Sequence, residues 1–350
     1  MTQQCRIALA GLGGVGRATA QLLLSRRAQY RARYGVDVLL VAACGSRAGV
    51  MDAAGLEPDR LDHLEEGLTG ADFIAASEAD VLIEAGPSDF RTGGPGLPYL
   101  REALAAGRDA IVISKGALVF DGRALRDLAG SSGSLLKLSG ATAAALPTID
   151  LLNHNLIGCR VLGIEGILNA TTNFLLDAMI HRGLGFAEAL RQAQAAGFAE
   201  SDPRNDVEGW DTACKLLILA NFGLGADLAI ADMAVTGIDK LGEDQLRDWR
   251  DQGLAPKLIG RLWREGEGFK ASVGVHAYPP SDPFALVAGK NKAIRIATDL
   301  MGEVVAMGCG SEPMATAAAA LKDFEHILAI RSGHAKPYGH LPLVGGNSSS

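Results

Sequence analysis

The 350-residue chain has little cysteine, few aromatics and no long unbroken apolar run. Its five cysteines, Cys5, Cys44, Cys159, Cys214 and Cys309, are scattered, without a C-x-x-C pair. An odd, dispersed set excludes a disulfide framework as the expected organiser and fits reduced thiols in a cytoplasmic protein. Zinc-ligand spacing is absent too. No apolar stretch is long enough to span a membrane, and the opening MTQQCRIALAGLGG lacks a signal-peptide pattern. The net charge is -7 with no basic tract, so neither nucleic acid nor a membrane surface is an expected partner. What remains is 48% hydrophobic and 21% charged, the balance of a soluble globular protein large enough for two domains.

The amino-terminal stretch RIALAGLGGVGRATAQLLL carries the first positive signal. A short apolar strand, Arg6 to Ala10, runs into Gly11, Gly13 and Gly16, spaced G-x-G-x-x-G, and a helical pattern continues to Leu24. The first glycine permits a tight turn, the second lets backbone approach a pyrophosphate, and the third lets helix and strand pack closely. The helix amino terminus supplies free N–H groups for phosphate. Further strands are expected in VDVLLVAAC, ADVLIEAGPSD, DAIVISKG and SLLKLSG, with helices over 98–106 and 122–129. This alternation predicts an α/β fold with a Rossmann-type, doubly wound parallel sheet.

The end of the second strand bears on cofactor choice. An acid there would bind a ribose 2′-hydroxyl, but the chain has CGSR, and Asp37 lies at the wrong end of the strand. Ser46 and Arg47 are suited to a 2′-phosphate, so NADP(H) is favoured over NAD(H).

Two lysines stand out. Lys115 follows AIVIS at the carboxyl edge of a strand, where open α/β sheets bind ligands. Its ammonium could bond a substrate oxygen, or exchange a proton if burial and positive neighbours depress its pKa. In DVEGWDTACKLLILAN, Asp206 is read as the N-cap, and Trp210, Ala213, Cys214, Leu217 and Ile218 mark a buried face. Asp211 and Lys215, four apart, share the margin of that face. Spacing leaves two readings open: a solvated ion pair, or two groups lining a cleft. Glu200 and Asp202 lie in the acidic loop before the helix.

These blocks together resemble homoserine dehydrogenases over nearly the whole chain. GFAESDPRNDVEGWDTACK carries the family's acidic loop, D-V-x-G and D-x-x-x-K elements. TGGPGLPYLREALAAGRDAIVISKGALV resembles the unit that delivers an active-site lysine. GCGSEPMATAAAALKDFEHI resembles the segment returning to the nucleotide domain. The resemblance implies NAD(P)H-dependent interconversion of L-aspartate-4-semialdehyde and L-homoserine, with Lys115, Lys215 and Asp211 catalytic. It implies Glu200, Asp206 and Thr171 for substrate, and Gly11, Gly13, Gly14, Val15, Gly16, Ser46, Arg47, Pro87, Ser114, Lys115, Gly310 and Glu312 for cofactor. It also implies a homodimer, with residues 1–138 plus 310–345 as the nucleotide domain and 139–309 as an α+β catalytic and dimerisation domain. Strands in the latter are suggested by LIGRLW, KASVGVHAY and NKAIRIATDL, and a return helix spans about 313 to 331, with Met314, Ala317, Ala318, Leu321 and Phe324 inward. NSSS reads as a disordered tail, and no threonine feedback through an appended regulatory module is expected.

Several positions depart from the family pattern. A glutamate whose segment binds a monovalent cation is replaced by Ser139, and glycines by Ala143, Ala144 and Ala145. No metal site is therefore expected. Phe198 stands for a frequent tyrosine, and Ala170 for a frequent glycine. Two further readings remain: an NADP-dependent dehydrogenase of another hydroxy-amino acid, and a non-catalytic dinucleotide sensor.

Overall fold

The computed structural model describes residues 3–197, 199–308, 310 and 313–333. Phe198, Cys309, Glu312 and the NSSS tail lie outside them. The first sheet is built from β1 (Gln3–Ala10), β2 (Val36–Cys44), β3 (Ala48–Met51), β4 (Glu65–Glu66), β5 (Val81–Glu84), β6 (Asp109–Val112) and β7 (Leu136–Lys137). Its order is β4-β3-β2-β1-β5-β6-β7. From β2 to β7 the neighbours are parallel. All nine residues of β2 are buried, because helices cover both faces of a doubly wound sheet. The β3–β4 edge was not anticipated and is antiparallel, so the sheet is mixed rather than purely parallel. β3 folds straight back on β2 through Gly45–Arg47, a connection too short for a parallel crossover.

The second sheet contains β8 (Val161–Ile167), β9 (Ala234–Val235), β10 (Ala255–Glu265), β11 (Gly268–Tyr278), β12 (Lys292–Thr298) and β13 (Glu303–Gly308). Its order is β13-β12-β8-β10-β11-β9. Only the β11–β9 pair is parallel. The three strands suggested by the sequence are β10, β11 and β12. Central β8 carries two glycines in GIEGI and gave little strand signal by itself. Helices Ala170–His181 and Trp210–Ile218 pack against β10.

The expected helices appear as Gly96–Ala105 and Gly116–Ser132, the latter kinked at Asp121. The return helix, Pro313–Arg331, packs on helix Gly14–Ser25. Ala317, Leu321 and Phe324 face inward as expected, but Ala320 is buried where Ala318 was expected, and Met314 is exposed. The inner face is set by contact with the glycine-loop helix, which the helix's own alanine-rich pattern does not reveal. A continuous apolar core runs from Leu118 and Leu125, beside the first sheet, to Leu152, Leu175 and Leu217 beside the second.

Candidate active site

The turn after β1 shows why three glycines are needed there. A Cβ on Gly11, at φ +107°, would sit 2.4 Å from the Ala85 carbonyl carbon, and one on Gly16 would sit 1.7 Å from the Gly11 oxygen. A Cβ on Gly13 would meet nothing within 4 Å, so its backbone faces open space. Gly13 is also the N-cap of helix Gly14–Ser25. The turn thus presents unpaired helix N–H groups to a cleft, as a pyrophosphate requires. That cleft has a volume of about 630 Å³, and Gly11, Gly13, Gly14, Val15, Ser46 and Pro87 line it. Arg47, the next residue along, is exposed, and its carbonyl accepts from Gly67 N at 2.9 Å. Gly310 carries a φ of +108° and lies against Ala145 and Ala315. Ahead of the return helix's body, Pro313 lies 3.4 Å from where a Cβ of Gly14 would be. A second cleft of about 590 Å³ opens near Gln3, Val36 and Asp109. It sits at the amino ends of the strands, the wrong edge for this class of ligand.

Glu84 was missed by the sequence reading, which treated it only as part of a strand. It ends β5 with no solvent exposure and lines the cleft beside the glycine turn. Its carboxylate accepts from Ser114 Oγ at 2.6 Å and from Gly86 N at 2.8 Å. Burial raises its pKa, against the lowering effect of those bonds and of Lys115. An acid closing an otherwise apolar strand at the ligand edge was the available signal. Ser114 is thereby fixed to Glu84, and the adjacent Lys115 N donates to Ser88 Oγ at 2.9 Å. This holds the β6-to-helix turn, with Lys115 at the N-cap of helix Gly116–Ser132.

The structure decides between the two readings of Asp211 and Lys215. Their side chains are 13% and 14% exposed, so they are not a solvated surface pair. Lys215 Nζ donates to Asp211 Oδ2 at 2.5 Å and to Leu168 O at 2.8 Å. Lys115 Nζ lies 3.5 Å from the other oxygen, Asp211 Oδ1. Two ammonium groups, one from each sheet's territory, therefore meet on one buried carboxylate. Burial opposes ionisation of Asp211, but Lys215 and then Lys115 outweigh it and hold its pKa well below the usual carboxylate range. Burial alone would lower the Lys115 pKa; Asp211 chiefly reverses this, and the net direction is upward. The depressed value considered from sequence required positive neighbours, whereas the closest charge is negative.

Asp206 is not the N-cap of the long helix. It belongs to a short helical turn, Arg204–Val207, and the cap is Gly209 in the left-handed region at φ 92°. The break at Gly209 turns the Asp206 carboxylate toward Asn169, a second residue missed from sequence. Asn169 caps helix Ala170–His181 by accepting from Thr172 N at 2.9 Å. Its amide also donates to Asp206 Oδ1 at 2.7 Å and Asp211 Oδ2 at 2.8 Å. An Asn at a helix start is a capping signal, but its second task depends on tertiary proximity. Burial, then the Asp211 charge, raises the Asp206 pKa, opposed by bonds from Asn169 and Thr171. Thr171 is 5% exposed and so belongs to this cluster. Glu200 lies on an exposed stretch, with its backbone carbonyl accepting from Gln194 Nε2 at 3.0 Å. Asp202 pairs with Arg204 at the surface, at 2.5 Å. Trp210 is half-buried and stacks on Phe90, with ring centroids 6.2 Å apart.

A glycine turn at the carboxyl ends of the parallel strands, beside a water-poor cluster holding two ammoniums, is the arrangement of a dinucleotide-dependent oxidoreductase. The sequence profile of homoserine dehydrogenase matches residues 147–324. An NAD(+)-dependent homoserine dehydrogenase from Pseudomonas canavaninivorans is 35% identical, over 92% of this chain and 96% of its own. The Methanocaldococcus jannaschii homoserine dehydrogenase is 31% identical, over 92% and 98%. A solved homoserine dehydrogenase from Thiobacillus denitrificans superposes with a TM-score of 0.83 at 27% identity, over 97% of this chain and 76% of that one. The chain belongs to the homoserine dehydrogenase family.

Proposed function

We propose that the protein interconverts L-aspartate-4-semialdehyde and L-homoserine, and that Lys115 and Lys215 together handle the proton at the C4 oxygen. The observation that carries this reading is the shared Asp211 carboxylate, which holds both ammoniums together in a largely buried site. A bound nicotinamide dinucleotide supplies or accepts the hydride. The chain's own contribution is electrostatic. Negative charge that develops on the aldehyde oxygen is stabilised by an ammonium, which then donates the proton. Asp211 favours the charged form of Lys115 and aims both lysines. Asn169 fixes Asp211 and Asp206 relative to each other, and Thr171 and Asp206 orient the substrate. Glu200, from its exposed loop, takes the substrate ammonium. Glu84 positions Ser114 and the Lys115 turn.

The cofactor reading favours NADP(H), because Ser46 lines the cleft and Arg47 follows it without an acid at that strand end. The name of the Pseudomonas relative favours NAD(H) instead. The chain is read as a homodimer formed through residues 139–309, with residues 1–138 and 310–345 as the nucleotide domain. Exposed Leu162, Trp263, Leu300 and Met307 on the second sheet and its turns support that surface.

The test is absorbance at 340 nm with purified protein, homoserine and each cofactor. Turnover of homoserine with either cofactor supports the reaction, and a panel of other hydroxy-amino acids tests its substrate. A higher kcat/KM with NADP, abolished by Arg47→Asp, supports the cofactor choice; a clear NAD preference in the wild type overturns it.

A further inference from the structure

Lys292 opens β12 and is only 3% exposed. Its ammonium donates to the backbone carbonyls of Ala143 at 2.8 Å and Gly310 at 3.3 Å. These carbonyls belong to the two places where the chain crosses between the sheets: one leaves β7, the other follows β13. The outgoing loop is strained at the same place. Ala143 and Ala144 have φ values of +142° and +57°, a region that alanine rarely adopts. Backbone carbonyl dipoles gathered around one buried positive charge are the ligand chemistry of a monovalent cation.

This is also the stretch for which the family resemblance implies a bound monovalent cation, and its residues do not fit one. The implied carboxylate is Ser139, which turns away: its N and Oγ donate to Asp323 at 2.9 and 2.8 Å. The carbonyl of Ala143 is already served by Lys292. Nearby, Asp150, His154 and His326 bring potential ligand atoms within 4.8 Å of one another, but Lys322 donates to that Asp150 carboxylate as well.

We propose that Lys292 is the resident cation of this crossover: a tethered ammonium that clamps the two connecting strips, so that no free monovalent ion is needed. The clamp acts on the cofactor side. Gly310 packs on Ala145 and Ala315, and Pro313 abuts Gly14 of the pyrophosphate turn. Lys292 is thus a positioning residue for dinucleotide binding.

The experiment has two arms, and only the second relies on the dehydrogenase reading. In the first, thermal unfolding is followed in choline, sodium, potassium and ammonium chlorides at equal ionic strength. Wild-type Tm is expected to be the same in all four. Lys292→Ala is expected to melt lower in choline and to be restored by ammonium, which can enter the vacated place. Lys292→Met fills the space without charge and is expected to lose stability with no restoration. In the second arm, wild-type kcat/KM is expected to vary less than about 2-fold across the salts, while the KM for dinucleotide rises about 10-fold in Lys292→Met with kcat less affected. A wild type that is selectively stabilised by sodium or potassium overturns the proposal, as does a Lys292→Met variant equal to wild type in Tm. Should both variants fail to fold, the wild-type salt panel decides. An enzyme inactive on homoserine would sink the functional reading while leaving the melting result to judge the clamp.

Discussion

At the scale of single residues the site is an electrostatic triangle in which each charge answers for the others. On the proposed reaction, removing either ammonium takes away a charge that would stabilise the reacting oxygen. Lys215→Ala and Lys115→Ala are therefore each expected to lower kcat by at least about 100-fold while circular dichroism stays native. Normal turnover in both would remove the proton-handling role. Asp211 has the opposite liability. Its folded pKa is depressed, so its contribution to stability is present above the unfolded value of about 4 and lost as pH falls through the folded one. For Lys115 the folded pKa is raised, so its contribution is present below about 10.4 and lost as pH rises through the folded value. Asp211→Asn leaves two ammoniums without their shared partner and is expected to cost roughly 3 kcal/mol at neutral pH. Denaturant midpoints should show the gap to wild type shrinking below about pH 4. Asp206 carries the reverse sign. Its raised pKa means that ionisation at neutral pH works against folding. Asp206→Asn should thus raise Tm while reducing kcat/KM by about 10-fold or more; a lower Tm would contradict the assignment of its charge. Position singled out Lys115 in the sequence, and spacing placed Asp211 and Lys215 on one helix face without deciding whether they were buried. Asn169 and Glu84 were not singled out, because each looks locally like a cap or a strand residue.

Among the elements, the glycine turn separates folding from binding most clearly. Gly16 and Gly13 are three residues apart and share one motif, yet a methyl group meets different surroundings at each. At Gly16 it collides with the Gly11 carbonyl, 1.7 Å away. Gly16→Ala is expected to cost more than about 3 kcal/mol, seen as a large fall in Tm or in soluble yield. At Gly13 the methyl group enters open cleft, so Gly13→Ala should fold normally and lose at least about 10-fold in dinucleotide affinity by fluorescence titration. Equal Tm losses in the two variants would mean that the turn has no such division of labour. The motif was legible because a strand precedes it and a helix follows. The break at Gly209 was not: apolar periodicity runs smoothly through the segment, and only its φ of 92° shows where the helix begins.

For the whole molecule, the proposed homodimer is tested by mass. A dimer in light scattering would have twice the 36.4 kDa of one chain, and charged substitutions at Trp263 and Leu300 should reduce it to one. A wild type at 36.4 kDa would exclude the second sheet as a stable interface at the concentration used. The sequence by itself determined the parallel strands, glycine turn and main helices of the first sheet, though not its antiparallel edge, since these are written in consecutive residues with fixed periods. It also marked the chemical residue types, as charges placed where local structure alone had no use for them. Only the tertiary structure decided that Asp211 and Lys215 are a largely buried cluster rather than a surface pair, that Lys115 joins them, and that Lys292 reaches the crossover. Those facts depend on residues up to 149 positions apart meeting where water is largely excluded, and no local pattern encodes such a meeting.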